Sequence, residues 1–215
     1  MKKLITIICL LPTIFAVAQT DLNFSGNKVL EDMWFKTVFN QNIADVEGTP
    51  YYEKNFQPAK LTGTNETLSA RYNVYHDNLE FIKDEKIMVV PKEEVYRSFH
   101  FMLTDEKIDL INDSYYFHIF QGKNYQAYRK PKIKFQKYKK ATSGYVDDTP
   151  AKFLKLPDTY YTLISDKLVE LPSNPKAFAS LFPARKDEIQ KFIKTNNIKL
   201  TTDADIKRVM RFIDN

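Results

Sequence analysis

Between residues 59 and 171 the apolar positions come in short alternating runs, and polar breaks separate them. In Arg71–Val90, Tyr72 and Val74 alternate with Arg71, Asn73 and Tyr75, a period of two that places successive side chains on opposite faces of a sheet. His76-Asp77-Asn78 interrupts with residues that accept a left-handed turn. Leu79, Phe81, Ile82 and then 87–90 resume the pattern around a second charged turn at 83–86. Two consecutive hairpins follow from this spacing.

The same reading predicts strands over 60–62, 67–75, 79–83, 86–90, 96–103, 108–112, 115–121, 125–128, 132–140, 151–155, 160–165 and 168–171. The breaks are Gly63-Thr64-Asn65, Asp77-Asn78, Asp84-Glu85, Thr104-Asp105, Asn112-Asp113, Gly122-Lys123-Asn124, Pro157-Asp158 and Ser165-Asp166. Short strands with such turns form an antiparallel meander that curls or closes, and no intervening helical pattern points to parallel crossovers.

After residue 172 the period changes. Ser173-Asn174-Pro175 pairs a capping residue with a proline suited to a first helical turn. Pro183 ends that helix and opens the next, where Ile189, Phe192 and Ile193 repeat at i, i+3, i+4. Thr202 with Asp205 forms a capping pattern before Ile206, Val209, Met210 and Ile213. The expected fold class is therefore α+β, mainly β: an antiparallel meander making a curved sheet or partly closed barrel, then a small helical subdomain over 173–215.

The first 58 residues divide in two. Lys2 and Lys3, the apolar run 4–17 and the small residues Ala16-Val17-Ala18 have the form of an export signal over 1–18, cleaved before Gln19. That run is short of the roughly 20 residues that span a bilayer, so no transmembrane segment is expected in the mature chain. Residues 19–58 read as an arm, with Val29, Leu30, Met33, Trp34 and Val38 compatible with a short helix or irregular packing. Cleavage would remove the one cysteine, Cys9, and lower the formal charge from +5 to +3 (5 − 2 = 3). Thiol chemistry and disulfides then drop out, and an exported chain must rely on its core.

Gly48-Thr49-Pro50-Tyr51, Phe56, Arg71-Tyr72-Asn73, Leu79-Glu80-Phe81, Lys134-Phe135, Pro150-Ala151-Lys152-Phe153, Tyr160-Tyr161 and Leu181-Phe182-Pro183 resemble an uncharacterised family of small exported β-rich proteins of Bacteroidota. The resemblance implies a protein of a Gram-negative envelope, periplasmic or secreted, and brings no catalytic residues or cofactor with it.

No nucleophile elbow, Gly-rich phosphate loop or helical His pair occurs. His100 and His118 could meet across strands with Asp105 or Asp113 as a third metal ligand, but two sheet histidines explain them as well. Asp147-Asp148 with Glu93-Glu94 could supply the acid and base of a glycan or cell-wall hydrolase; adjacent carboxylates also cap turns. Tyr51-Tyr52, Tyr115-Tyr116 and Tyr160-Tyr161 should each give one core and one exposed ring. No cofactor, metal site or catalytic residue is assigned.

The strongest anomaly is Tyr128–Lys140, where Arg129, Lys130, Lys132, Lys134, Lys137, Lys139 and Lys140 occur with no acidic residue among them. Ile133 and Phe135 alternate with Lys132 and Lys134, an apolar inner face under a basic outer one. Such a stripe attracts an envelope protein, an anionic polysaccharide or lipopolysaccharide, and it also solubilises an exposed strand. Nucleic acid is not the expected partner of an exported chain. The function expected is non-enzymatic binding; the alternatives are the hydrolase and an oligomeric structural component.

Overall fold

The computed structural model describes residues 46–62, 66–141 and 147–215. The expected signal, most of the arm, the Gly63-Thr64-Asn65 break and residues 142–146 lie outside them. Ten strands form one antiparallel sheet that does not close: β1 (Gln57–Leu61), β2 (Thr67–Asn73), β3 (Asn78–Lys83), β4 (Lys86–Val89), β5 (Ser98–Phe101), β6 (Glu106–Ile111), β7 (Ser114–Gln121), β8 (Gln126–Gln136), β9 (Lys152–Ile164) and β10 (Lys167–Leu171). Their order is β10-β9-β8-β7-β6-β5-β1-β2-β3-β4. Three helices follow, α1 (Pro175–Ser180), α2 (Lys186–Thr195) and α3 (Asp203–Asp214). No helix among the described residues is long and apolar enough to cross a membrane.

The turn chemistry explains the register. Asp84-Glu85, Asn112-Asp113 and Ser165-Asp166 all have positive φ at both central residues. That is the twist a two-residue hairpin needs, and Asn and Asp are among the residues that tolerate it best. The expected break at Pro157-Asp158 and the gap between the expected strands 125–128 and 132–140 are both spanned by strand: 126–136 form one strand, β8, and 152–164 another, β9. Lys130 pairs with Thr159 and Lys132 with Leu156, so Pro131 faces Pro157-Asp158 across a bulge. A proline lacking its N–H is harmless where the ladder is already interrupted. The ladder stops at Gln136, short of Lys140.

The sheet curls on itself. Tyr72 of β2 meets Tyr115 at 6.1 Å and Phe117 at 5.8 Å between ring centroids, although β1, β5 and β6 stand between β2 and β7 in the sheet. The concave face thus closes over Leu61, Tyr72, Leu79, Phe81, Phe99, Phe101, Ile108, Tyr115 and Phe117, all essentially inaccessible to water. Each large apolar side chain so buried contributes about 1.5–3 kcal/mol. Farther along the sheet the same face receives the helices: Phe178, Ile189, Ile193, Ile206, Val209 and Met210 pack on Ala127, Tyr160 and Leu171. Asn174 Oδ1 accepts from the amides of Lys176 and Ala177, and Thr202 Oγ1 from that of Asp205, so both caps form as expected. At the end of α3, Asp214 accepts from the amides of Lys123, Asn124 and Tyr125 and ties the β7–β8 loop to the last helix.

Four of the segments that resemble the family, those holding Tyr51, Phe56, Arg71 with Asn73, and Glu80, meet in one place. Arg71 Nε and Nη2 donate to Glu80 Oε2 at 2.8 and 2.6 Å, and Asn73 Nδ2 donates to Glu80 Oε1 at 3.1 Å. The guanidinium lies over the rings of Tyr51 (3.5 Å) and Phe56 (4.2 Å) and donates to the Lys54 carbonyl. Glu80 is wholly buried and Arg71 nearly so. Those motifs therefore build a buried ion pair under the segment that covers β2 and β3.

Candidate functional site

The basic run splits into two populations. Lys132, Lys134, Lys137, Lys139 and Lys140 are exposed, whereas Arg129 and Lys130 are turned into carboxylates. Beyond the bulge, β8 pairs only with β9, and Lys132–Gln136 with Lys152–Leu156 form a ribbon whose inner face, Ile133, Phe135 and Phe153, packs against Tyr75 and Val46. Cross-strand neighbours share a face, which sets Leu156 opposite Lys132, Leu154 opposite Lys134, and Lys152 opposite Gln136 and diagonal to Lys134. Lys132, Lys134, Lys139, Lys140 and Lys152 make no ion pair with any described residue.

Arg129 instead joins the two halves of the core. Its Nη2 donates to Tyr52 Oη at 2.8 Å and to Glu106 Oε1 at 2.7 Å; Nη1 lies 3.5 Å from Asp158 and Nε 3.6 Å from Asp203 at the start of α3. Tyr160 Oη donates to the same Asp203 oxygen. Burial works against the Arg129 charge, but Asp203, Tyr52 and Glu106 outweigh it and raise its pKa further. Tyr52 is pushed up to about 12, chiefly by burial. Burial also lifts the Asp158 carboxyl above its usual range, with Arg129 opposing and Asp203 adding to the rise. The guanidinium occupies the space between these carboxylates, so the cluster works as a tie.

Lys130 makes the companion tie. Its Nζ donates to Asp77 Oδ1 at 2.6 Å, to the Tyr115 carbonyl at 2.8 Å and to Tyr72 Oη at 3.2 Å. Burial alone would raise the Asp77 carboxyl. Hydrogen bonds from Lys130 and Tyr72, with the charges of Lys130 and Lys92, hold it below the usual carboxylate range instead. Asp109 is lowered in the same way: burial raises it, and His118 and Ser98 more than compensate.

A pH dependence follows. Because Asp77 and Asp109 titrate lower in the folded chain than near 3.9, their value when unfolded, they contribute stability above that pH. The contribution is lost as pH falls through their folded values. Asp158 has the opposite sign and withdraws stability as pH rises from about 3.9 toward its raised value. The urea midpoint should therefore drop below about pH 4, and Asp77→Asn should flatten the drop. An equal drop in that variant would remove Asp77 from the account.

The other sequence candidates do not converge. His100 and His118 lie on either side of Lys107 in the ladder, each with its own carboxylate, Asp105 at 2.6 Å and Asp109 at 3.1 Å. Among the described residues, no three of His, Cys, Asp and Glu gather as a metal site requires. Glu94 pairs with Arg97, and Asp148 accepts from Tyr138 Oη and the Ala141 amide, so both are engaged locally. The tyrosine pairs divide in two cases: Tyr115 and Tyr160 are buried, while Tyr116 and Tyr161 meet on the outer face at 5.3 Å. In the third pair both rings are packed, Tyr51 on Arg71 and Tyr52 on Phe117.

The sequence pattern missed two features. One is the Arg129 cluster, whose partners come from β6, β9 and α3. The other is an open groove of about 520 Å³ on the outer face, crossed by Ser98, Asp109, His118 and Tyr128. Compared with protein-family models, with curated proteins and with solved structures, the chain matches none.

Proposed function

We propose that the protein acts by binding, and that the lysine face of the β8–β9 ribbon holds an anionic polymer such as an acidic polysaccharide or the phosphates of lipopolysaccharide. The observation that carries this reading is the set of exposed lysines without ion partners among the described residues, Lys132, Lys134, Lys139 and Lys140, along one edge of the ribbon. Leu156, 41% exposed, and Tyr138, 46% exposed, add apolar contact among the charges. Amphipathic lysine stems and such side chains together suit a polymer whose charges recur along its length. An exported setting, with a mature chain beginning at Gln19, belongs to the same reading, as does membership of the exported Bacteroidota family.

The test replaces Lys132, Lys134, Lys137 and Lys139 by Gln. Polygalacturonate and lipopolysaccharide should bind the unaltered chain with an affinity that falls as salt rises, because exposed charges are screened beyond about 10 Å at 0.1 M. The variant should lose roughly tenfold or more in affinity, the loss of about 1.4 kcal/mol. Equal binding by the variant would overturn the proposal. A variant that aggregates without ever having bound would assign the lysines to protecting an open strand edge.

A further inference from the structure

The groove on the outer face differs from the lysine ribbon in charge and in construction. Its volume of about 520 Å³ falls in the range of small-molecule sites, about 300–1,000 Å³. Arg97, Asp109 and Asp166 line it, and Arg97 is already paired with Glu94, so the groove offers no unpaired arginine and a polyanion gains little there. Gln121, Gln126 and Thr62 supply neutral donors and acceptors, and Ile111 and Leu163 add apolar surface.

The polar groups are fixed before any ligand arrives. Thr62 Oγ1 donates to Ser98 Oγ at 3.3 Å, and Ser98 Oγ donates to Asp109 Oδ1 at 2.6 Å. His118 bridges Asp109 Oδ2 and the Phe120 carbonyl, at 3.1 and 3.0 Å. Tyr128 Oη donates to Gln126 Oε1, which sets the amide's orientation and leaves its nitrogen without a partner among the described residues. Gln121 donates through its nitrogen to the Gly122 carbonyl, leaving its oxygen as an acceptor. One planar amide thus offers donors and another an acceptor, beside a carboxylate and a guanidinium whose directions are already set.

We infer that this groove binds a neutral, hydroxyl-rich ligand, one to a few units of an uncharged saccharide. Sugar hydroxyls are donors and acceptors at once and match paired amide, carboxylate and guanidinium groups. The C–H faces of a sugar ring match the apolar part of the lining. Fixed partners reduce the ordering cost of binding.

The experiment titrates the full chain with maltotriose, cellotriose and N-acetylchitotriose at high salt, following amide shifts by NMR. At least one sugar should give saturable shifts centred on Ser98, His118, Gln121 and Gln126. Affinity should fall about tenfold in Gln126→Ala and in Gln121→Ala, the latter an exposed residue whose loss leaves the fold intact. The lysine-to-glutamine variant should bind as the unaltered chain does, which separates this site from the ribbon. Absence of shifts with all three sugars, shifts confined elsewhere, or unchanged affinity in both glutamine variants would overturn the inference.

Discussion

Replacing Glu80 by Ala should cost about 3–5 kcal/mol, because it strands the Arg71 guanidinium in a site with no access to water. Folded domains are stable by only about 5–15 kcal/mol, so this change removes about a fifth of that or more. The cost arises from what remains. Arg71 keeps its place over Tyr51 and Phe56 and its bond to the Lys54 carbonyl, while Asn73 Nδ2 loses its acceptor. A double variant, Arg71→Met with Glu80→Leu, should recover most of the loss, since an apolar pair of similar volume is often as stable as a buried ion pair. Urea unfolding of the three variants decides it. A loss under about 1 kcal/mol for Glu80→Ala would mean that water reaches the pair, which the burial of both residues contradicts.

The second large effect is expected at Arg129. Arg129→Leu leaves Glu106, Asp158 and Asp203 facing one another without the charge that holds them, at an expected cost of about 3 kcal/mol. The damage should be directional. Asp203 opens α3, so the helices should loosen from the sheet before the concave core does, with faster hydrogen exchange across α2 and α3 than across β2 and β3. The Asp158 carboxyl should move still higher, since Arg129 is the main charge pulling it down. Arg129→Lys should restore little, because an ammonium cannot fork between Tyr52, Glu106 and the two aspartates. Uniform loosening of the whole chain would refute the role of Arg129 as the tie between sheet and helices.

Much of this arrangement was legible in the chain, for identifiable reasons. Hairpin turns were readable because Asp and Asn at the positive-φ positions carry their own chemistry, as at Asn112-Asp113. Helix starts were readable because Asn174 and Thr202 cap through their side chains. Continuity of β9 is hidden by Pro157, which reads as a break, and that of β8 by residues 129–131, which the strand pattern leaves out; Pro131 and Pro157-Asp158 face each other at one bulge. The first two residues of the basic run, Arg129 and Lys130, turn into carboxylates. The alternation that sets Ile133 and Phe135 inward also sets Arg129 inward when carried two steps back, and charge alone obscured that parity. Its partners could not be foreseen: Glu106, Asp158 and Asp203 lie far apart in the chain, and only the curl of the sheet and the docking of α3 gather them.

The strand order has a consequence for how the chain reaches this state. Every neighbouring pair joins strands consecutive in the chain except β1 with β5, where Ala59, Lys60 and Leu61 pair with Phe101, His100 and Phe99. Hairpins need short loop closures and form within microseconds, so β1–β4 and β5–β10 can each zip locally. Joining them requires the whole stretch from Leu61 to Phe99 to close at once, and the contact of Tyr72 with Phe117 forms only after that. The slow step of assembly is therefore the meeting of two preformed meanders along the β1–β5 seam.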